Sequence, residues 1–328
     1  MCPARPLIAL LTLLGLSACG LVAPGEAEES TSSADGYPLV LENCGADVRL
    51  EAAPERVVLL KSAAVPFLSR LGVLDRVVAR AGEYPRDYYD DATWAALEEV
   101  PALTSETDTS GHLQISKEVV IDQQPDLVLG EVDNLSRDTL AAVDVPLLEE
   151  PAMCAAGIED PGFDDVRSQL RAYGEVFDRR AEADQAVAEL DDRLEELSAG
   201  TEGEERTAAV LYPTVGGGVT YAYGSRSMAH PVLEAAGFEN VYADTDERVF
   251  EVTAEELVGR DPDVLVLLHS AGDPDEVVDA VTRLPGAGRM TAVRDGELMP
   301  LLFNYVEPPT PLSVEGLAMV RERFGDGA

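Results

Sequence analysis

Short apolar runs alternate with amphipathic segments along most of this 328-residue chain. Runs without polar alternation indicate strands buried on both faces, as in parallel sheets covered by helices. In the first half these runs are Arg56–Leu60, Val77–Ala79, Asp126–Gly130 and Val145–Leu148, and in the second half they are Thr207–Tyr212, Val219–Tyr223 and Asp263–Leu268. Ahead of them, Tyr37–Glu42 and Asp47–Leu50 predict a short hairpin. The pattern therefore predicts an α/β protein.

A helical divider separates the two halves, because apolar residues recur at three- and four-residue spacing from Phe163 to Ser198. Arg179-Arg180 marks a break that leaves a second helix of about 19 residues, ~28 Å long. We predict two doubly wound Rossmann-like lobes, residues 37–162 and 201–328, joined by a helical linker, residues 163–200, that contains a single long backbone helix. One stiff connection disfavours large closure of the lobes on a ligand.

An internal repeat supports this division. Ser116–Leu129 aligns with Thr253–Val266: in both segments a Ser or Thr opens a short helix, a Glu follows two residues later, and Pro-Asp and a buried strand follow the Glu at the same spacing. Ser and Thr are typical N-cap residues, and an early Glu complements the helix dipole. The matched spacing favours two related lobes over chance reuse of a helix–strand unit.

The N-terminus predicts export. Arg5 precedes an apolar stretch of about ten residues, which fits a signal peptide and is too short for a membrane span of ~20 residues. Leu16-Ser17-Ala18-Cys19 resembles the bacterial lipobox, although ordinary secretory cleavage beside a chance cysteine is the alternative. We expect residues 1–18 to be removed, Cys19 to carry acyl chains that enter the bilayer, and residues 19–36 to form a flexible acidic tether. The body would then hang at the outer face of the cytoplasmic membrane.

Charge and motifs exclude several function classes. The chain has 62 acidic and 24 basic residues and a net charge of −38, which disfavours binding to nucleic acid or to an anionic membrane surface. Lys61 and Lys117 are its two lysines, and neither lies in a phosphate-binding loop motif. No GxSxG, HExxH or Ser-x-x-Lys motif is present, so we expect no enzymatic activity.

Two cysteines remain once Cys2 is lost with the signal peptide and Cys19 is acylated. In an oxidising compartment an isolated pair is more often a disulfide than two free thiols or half a metal site. We predict a bridge between Cys44 and Cys154. The bridge would close a loop of about 110 residues, which contributes on the order of 5 kcal/mol to the free energy of unfolding.

These features together resemble the helical-backbone class (class III) of ABC-importer solute-binding lipoproteins, which carry ferric siderophores, haem or cobalamin. The resemblance covers residues 37–324, and its motifs are Pro54–Val58, Leu71–Val78, Glu118 with Pro125–Val128, Ala235–Val241, and Glu255 with Pro262–Val264. It implies a monomer that holds its ligand between the lobes and delivers it to a membrane permease dimer. By motif position Glu118 and Glu255 would dock onto permease arginines, and each can also stabilise its helix dipole.

Candidate ligand contacts follow the strands, where α/β folds bind ligands. They are Tyr84, Arg86, His112, Tyr212, Tyr223, Arg226, His269, Phe303 and Tyr305. The aromatic rings would pack against a bulky organic chelate and the arginines would clamp its oxygens. We expect the ligand itself to carry the iron, with no intrinsic cofactor and no direct metal site. Because arginines are few in these loops, we favour a neutral or cationic ferric hydroxamate.

Other ligands and classes remain as alternatives. Haem would use His112 as an axial ligand, with Tyr221 or Tyr223 from the other lobe as the second. Cobalamin would occupy the same cleft. An extracellular hydrolase and a structural surface lipoprotein are the alternatives from outside the importer class.

Overall fold

The structure is a computed structural model that describes residues 36–107, 112–198, 206–216 and 218–325. The predicted signal peptide, Cys19 and the tether up to residue 35 lie outside these ranges. No helix within the ranges is both long and apolar enough to cross a membrane.

The N-terminal lobe begins with the predicted hairpin, β1 (Leu39–Asn43) and β2 (Ala46–Leu50), whose strands pair antiparallel. A four-stranded sheet follows, in the order β4-β3-β5-β6, and all its strands are parallel, as predicted. Its strands are β3 (Val57–Leu59), β4 (Val77–Arg80), β5 (Leu127–Leu129) and β6 (Leu147–Leu148). Its helices are α1 (Val65–Arg70), α2 (Asp91–Glu98), α3 (Lys117–Ile121) and α4 (Arg137–Ala141).

The divider is an antiparallel pair of helices, α5 (Phe163–Val176) and α6 (Arg180–Ser198). The break between them falls at the predicted Arg179-Arg180. Arg167 of α5 forms an ion pair with Asp191 of α6, with 2.5 Å between Nε and Oδ1, and Arg171 faces Asp184 nearer the turn. The two helices therefore run side by side rather than as one rod.

The C-terminal lobe contains a six-stranded mixed sheet, in the order β10-β8-β7-β11-β12 with β9 also paired to β7. Its strands are β7 (Arg206–Pro213), β8 (Thr220–Tyr223), β9 (Phe238–Asn240), β10 (Val249–Val252), β11 (Val264–His269) and β12 (Leu298–Leu302). Its helices are α7 (Ala229–Ala235), α8 (Ala254–Arg260), α9 (Pro274–Thr282), α10 (Thr291–Asp295) and α11 (Pro311–Phe324).

One strand of this lobe differs from the all-parallel expectation. β7, β9, β11 and β12 are parallel, but β8 pairs antiparallel with β7, and β10 pairs antiparallel with β8. The link from Pro213 to Thr220 is too short for a parallel crossover, which needs about a dozen residues, so the chain turns back as a hairpin.

The inner faces of both sheets share one hydrophobic core. In β3, Val57 and Leu59 point into this core, whereas Val58 points to the opposite face. In β11, Val264 and Val266 join the same core, together with buried residues of α5, α6 and α11. The two lobes are therefore held together by packing as well as by the linker.

The aligned segments of the internal repeat have the same local structure. Ser116 and Thr253 occupy the N-cap positions of α3 and α8, but only Thr253 accepts a side-chain capping hydrogen bond, from the Glu256 N–H. The residue before each proline, Gln124 or Asp261, has a left-handed backbone with φ of 51° and 46° respectively.

The aspartates that follow the prolines explain the Pro-Asp motif. Asp126 accepts hydrogen bonds from the Glu55 and Arg56 N–H groups, both at 2.8 Å, at the start of β3. Asp263 accepts one from the Thr207 N–H, also at 2.8 Å, near the start of β7. Each aspartate thus fixes the beginning of the neighbouring central strand in its own lobe.

The predicted disulfide between Cys44 and Cys154 is present, with a Cα–Cα distance of 5.1 Å. It links the β1–β2 turn to the short 3-10 helix Pro151–Met153, at the end of which Cys154 lies.

Candidate functional site

The two lobes meet where the carboxyl ends of their sheets face each other. The Asn304 side chain, just after β12, donates to the Ser62 hydroxyl, just after β3, at 2.9 Å. The Asn304 N–H donates to the Tyr88 hydroxyl at 2.9 Å, and the Tyr305 hydroxyl donates to the Asp87 carbonyl. We call the space between these strand ends the interlobe cleft, the place where α/β folds bind ligands.

An open cavity of about 610 Å³ lies on one side of this contact. The N-terminal lobe contributes residues between Glu83 and Asp87. The C-terminal lobe contributes His269 at the end of β11, residues that follow it, residues of β12, and Tyr305 and Met319. Three of the predicted contacts line it: Tyr84, His269 and Tyr305. Its volume suits a bulky organic ligand, since such pockets typically measure about 300–1,000 Å³.

Aromatic rings from both lobes cluster at the cleft. Tyr88 and Tyr305 form an edge-to-face pair across the lobes, with ring centroids 5.4 Å apart. In the C-terminal lobe, the predicted residues Tyr212 and Phe303 form a second such pair at 6.0 Å, and the Tyr212 hydroxyl lies 3.0 Å from the Ser270 hydroxyl.

Sequence reasoning missed two members of this cluster, Tyr88 and Tyr89. Tyr89 stacks on Trp94, with centroids 6.3 Å apart. The concentration of aromatic residues between β4 and α2 was the available signal, because such a run directly after a strand is typical of a binding loop.

The buried tyrosines of the cleft are neutral. Burial raises the pKa values of Tyr84, Tyr88 and Tyr89 well above their usual range, so none is a phenolate at physiological pH. Among the residues that the structure describes, the buried Tyr84 hydroxyl has no hydrogen-bond partner, and the Tyr84 ring lies under the Arg80 guanidinium, 5.1 Å from the ring centroid.

The predicted arginine clamps already have partners. Arg86 pairs with Asp91, donates to the Tyr89 carbonyl and covers the Trp94 ring at 5.8 Å. Arg226 donates to the Ile158 and Ala156 carbonyls at 3.4 and 3.2 Å and so bridges to the segment before α5. The Arg86 charge is therefore balanced by a carboxylate, whereas Arg226 has neutral carbonyl partners.

Two further cations near the cleft are also paired. Lys61 forms an ion pair with Glu149, and Arg248 with Glu307 at 2.7 Å. The Glu307 carboxylate is fully buried and also accepts from the Met228 N–H at 2.5 Å, while burial raises its pKa. Beside the aromatic surface, the charges of Lys61, Arg86 and Arg248 are therefore each balanced by a carboxylate.

The histidines and Tyr223 occupy distinct environments. His112 is exposed and its Nδ1 lies 2.7 Å from an Asp133 carboxylate oxygen. The buried Nδ1 of His269 has no hydrogen-bond partner within the described ranges. His230 faces Glu234 within α7, with 3.5 Å between Nε2 and Oε1. Tyr223 is only 3% exposed and packs in the shared core. Across the described ranges, no group of three or more His, Cys, Asp or Glu residues is placed to hold a metal ion.

Glu118 and Glu255 hold equivalent positions in the two lobes. Each is the second residue of its helix, α3 or α8, and each is exposed. Within the described part of the chain, neither side chain has a hydrogen-bond or ion-pair partner. Both carboxylates are therefore available to a partner protein.

Comparison with known proteins adds a family match and several relatives. The family model described as periplasmic binding protein matches residues 57–302. The crystal structure of an ABC-type Fe3+-hydroxamate transport system from Saccharomonospora viridis is 56% identical, covers 88% of this chain and 100% of that chain, and has a TM-score of 0.85.

Two more distant relatives name other ligands. A cobalamin-binding protein from Halobacterium salinarum is 26% identical over 286 residues, 84% of this chain and 71% of its own length. A periplasmic heme binding protein from Pseudomonas aeruginosa has a TM-score of 0.67 at 20% identity, covering 84% of this chain and 94% of that chain, so it shows a shared fold alone.

Proposed function

This chain belongs to the periplasmic binding protein family, and from that premise we propose that it captures a ferric hydroxamate siderophore for an ABC importer. The observation that carries the proposal is the 56% identity, along the whole of the matched chain, to an Fe3+-hydroxamate transport protein. In this account the chelator holds the iron, and the protein contributes binding and delivery rather than catalysis.

The chemistry of the cleft supports a hydroxamate over a catecholate ligand. Ferric tris-catecholate complexes carry a high negative charge and call for cations whose charge is not balanced, whereas the charges of Lys61 and Arg86 are each balanced by a carboxylate. A neutral or weakly cationic chelate needs no such charge and gains from aromatic contact. The neutral tyrosines of the cleft supply that surface.

We further propose that Cys19 is acylated and tethers the body to the outer face of the cytoplasmic membrane. Support comes from the lipobox-like residues 16–19 and the apolar stretch before them. Glu118 and Glu255, exposed at equivalent helix starts, would dock onto the permease dimer.

The test is a fluorescence titration of the purified mature protein. Trp94 is the only tryptophan and stacks on Tyr89 in the aromatic cluster, so it reports on the cleft. We expect ferrioxamine- and ferrichrome-type chelates to give a saturable change and catecholate chelates to give none. Saturation by haem with an absorbance band lost in His112→Ala, or by cobalamin alone, would overturn the proposal in favour of the related ligand.

A further inference from the structure

Lys61 lies at the point where the lobes meet. It follows β3 directly, and its neighbour Ser62 accepts a hydrogen bond from Asn304 of the opposite lobe. The Lys61 ammonium forms an ion pair with Glu149, and the lysine side chain remains 35% exposed. The Lys61 side chain is therefore held at the carboxyl end of β3 without being fully covered.

Glu149 is fixed from several directions. Its side chain is 2% exposed, and its two carboxylate oxygens accept from the Glu131 and Glu150 N–H groups, each at 2.8 Å. The Asn43 side chain exchanges two hydrogen bonds with the Glu149 backbone, at 2.8 and 2.9 Å. The carboxylate thus joins the ends of β3, β5 and β6, and it presents a rigid acceptor to the lysine.

Gly130, which follows β5, leaves room for the lysine stem. Its backbone has φ of +97°, and a Cβ placed there would lie 3.0 Å from Lys61 Cγ and 3.1 Å from Lys61 Cβ. A glycine at this position therefore lets the lysine extend past the strand end toward Glu149.

The paired ammonium suits a neutral ligand that is rich in oxygen. An ammonium has three N–H donors, and one of them is engaged by Glu149, which leaves two for other acceptors. Because the buried carboxylate balances its charge, the lysine can donate hydrogen bonds without requiring an anionic ligand. Hydroxamate and amide oxygens are acceptors of this kind.

We infer that Lys61 is a ligand-binding residue, whose ammonium, positioned by Glu149, donates hydrogen bonds to oxygen atoms of the bound chelate. This inference rests on the proposed function. The competing explanation is that the ion pair only ties strand ends together, in which case ligand affinity would not depend on the amine.

Lys61→Met tests the inference, and Lys117→Met is the matched control, because Lys117 is the other lysine and lies exposed on α3. We expect Lys61→Met to weaken binding of ferrioxamine about 10- to 100-fold, the usual effect of losing a charged hydrogen bond. Lys117→Met should bind as the wild type does. Equal affinities for both variants would overturn the inference while leaving the proposed function standing.

A second variant separates binding from stability. Lys61→Met leaves the buried Glu149 without its cation, whereas Lys61→Met combined with Glu149→Gln removes both charges. We expect the double variant to bind ferrioxamine as weakly as Lys61→Met does, whatever its melting temperature, because it also lacks the ammonium. Recovery of wild-type affinity in the double variant would contradict the inference. If the wild type binds no ferric hydroxamate at all, the proposed function fails, and the inference falls with it.

A measurement on the wild-type sequence does not depend on the folding of variants. Biosynthetic incorporation of lysine labelled with 15N at Nζ marks the two lysines for NMR and leaves all three N–H donors of each ammonium in place. Addition of a diamagnetic gallium hydroxamate should shift the Lys61 signal and leave the Lys117 signal in place. An unmoved Lys61 signal at saturating chelate would overturn the inference.

Discussion

The buried carboxyl group of Glu150 makes the stability of the protein depend on pH. Glu150 is 4% exposed, and one of its oxygens accepts a hydrogen bond from the Tyr173 hydroxyl at 2.7 Å. Burial raises the pKa of Glu150 to about 8; the nearby Glu149 also raises it, while Tyr173 and Lys61 lower it. The folded protein therefore holds this proton through neutral pH.

The first prediction concerns Glu150→Gln, which mimics the protonated acid. The folded pKa lies above the unfolded value, so the stability from this proton is complete below about pH 4.5 and is lost as pH rises to about 8. The slope approaches about 1.4 kcal/mol per pH unit for one group. We expect Glu150→Gln to flatten this part of the profile and to be more stable than the wild type above pH 8.

Denaturant unfolding from pH 5 to pH 9 measures this effect, with Glu98→Gln on the exposed surface of α2 as the control. The control should keep the wild-type slope. Parallel profiles for the wild type and Glu150→Gln would show that Glu150 is ionised in the folded protein.

The sequence predicts which side chains lie at the cleft better than it predicts which residues those side chains contact. Tyr84 and Tyr305 were predicted from their place after strands, and both line the cavity. Arg86 was predicted as a clamp, but its partner Asp91 became visible only once the loop was folded. For Arg226 the partners lie about 70 residues away, and no local pattern encodes such a contact.

At the scale of elements, helix α11 packs closely against the cleft residues 303–305, and Gly316 makes this close approach possible. Gly316 lies within α11, and a Cβ there would stand 1.9 Å from the Tyr305 carbonyl oxygen. The helix can approach residues 303–305 this closely only because Gly316 has no side chain. Tyr305 in turn lines the cavity and reaches Asp87 of the other lobe.

The second prediction is that Gly316→Ala destabilises the protein by about 1–3 kcal/mol or more, since backbone must shift to relieve the overlap. It should also weaken ferrioxamine binding by displacing Tyr305. Gly259→Ala is the matched control, because Gly259 lies in α8 with nothing within 4 Å of its added Cβ. That variant should be about 0.5–1 kcal/mol more stable than the wild type. Thermal or urea unfolding distinguishes the two, and a harmless Gly316→Ala would contradict the packing described here.

Helices and strands could be predicted from the sequence where the spacing of apolar residues was regular. The strand runs, the hairpin and the break between α5 and α6 all follow from apolar spacing and are present. The expectation that β8 runs parallel to its neighbours is wrong, because β8 pairs antiparallel with β7. The short link before β8 already favoured a hairpin. The antiparallel packing of α5 on α6 depends on tertiary contacts such as Arg167 with Asp191, which helical periodicity alone does not specify.

At the scale of the whole molecule, the shared core constrains how the lobes move. Inner-face residues of both sheets pack in one cluster, and Asn304 bonds to Ser62 and Tyr88 across the cleft. Opening the lobes widely would break these hydrogen bonds and expose apolar surface. A permease that contacts both lobes would therefore meet two acids, Glu118 and Glu255, on lobes that this core and these hydrogen bonds hold together.

Glu118 and Glu255, the acids proposed to dock onto the permease, are not among the residues that line the cavity, so removing them tests docking separately from ligand capture. We predict that Glu118→Ala combined with Glu255→Ala leaves ferrioxamine affinity and melting temperature unchanged, because both side chains are exposed and unpartnered within the described ranges. Uptake of ferrioxamine iron by the native host should fall at least about tenfold, equivalent to about 1.4 kcal/mol of docking energy. Glu256→Ala, beside Glu255 on the same helix, controls for loss of charge and should transport normally. Each single variant should show an intermediate loss, since each lobe carries one of the two acids proposed to dock. Wild-type uptake by the double variant would mean that the permease recognises another surface, even if the ligand and the cleft are as proposed.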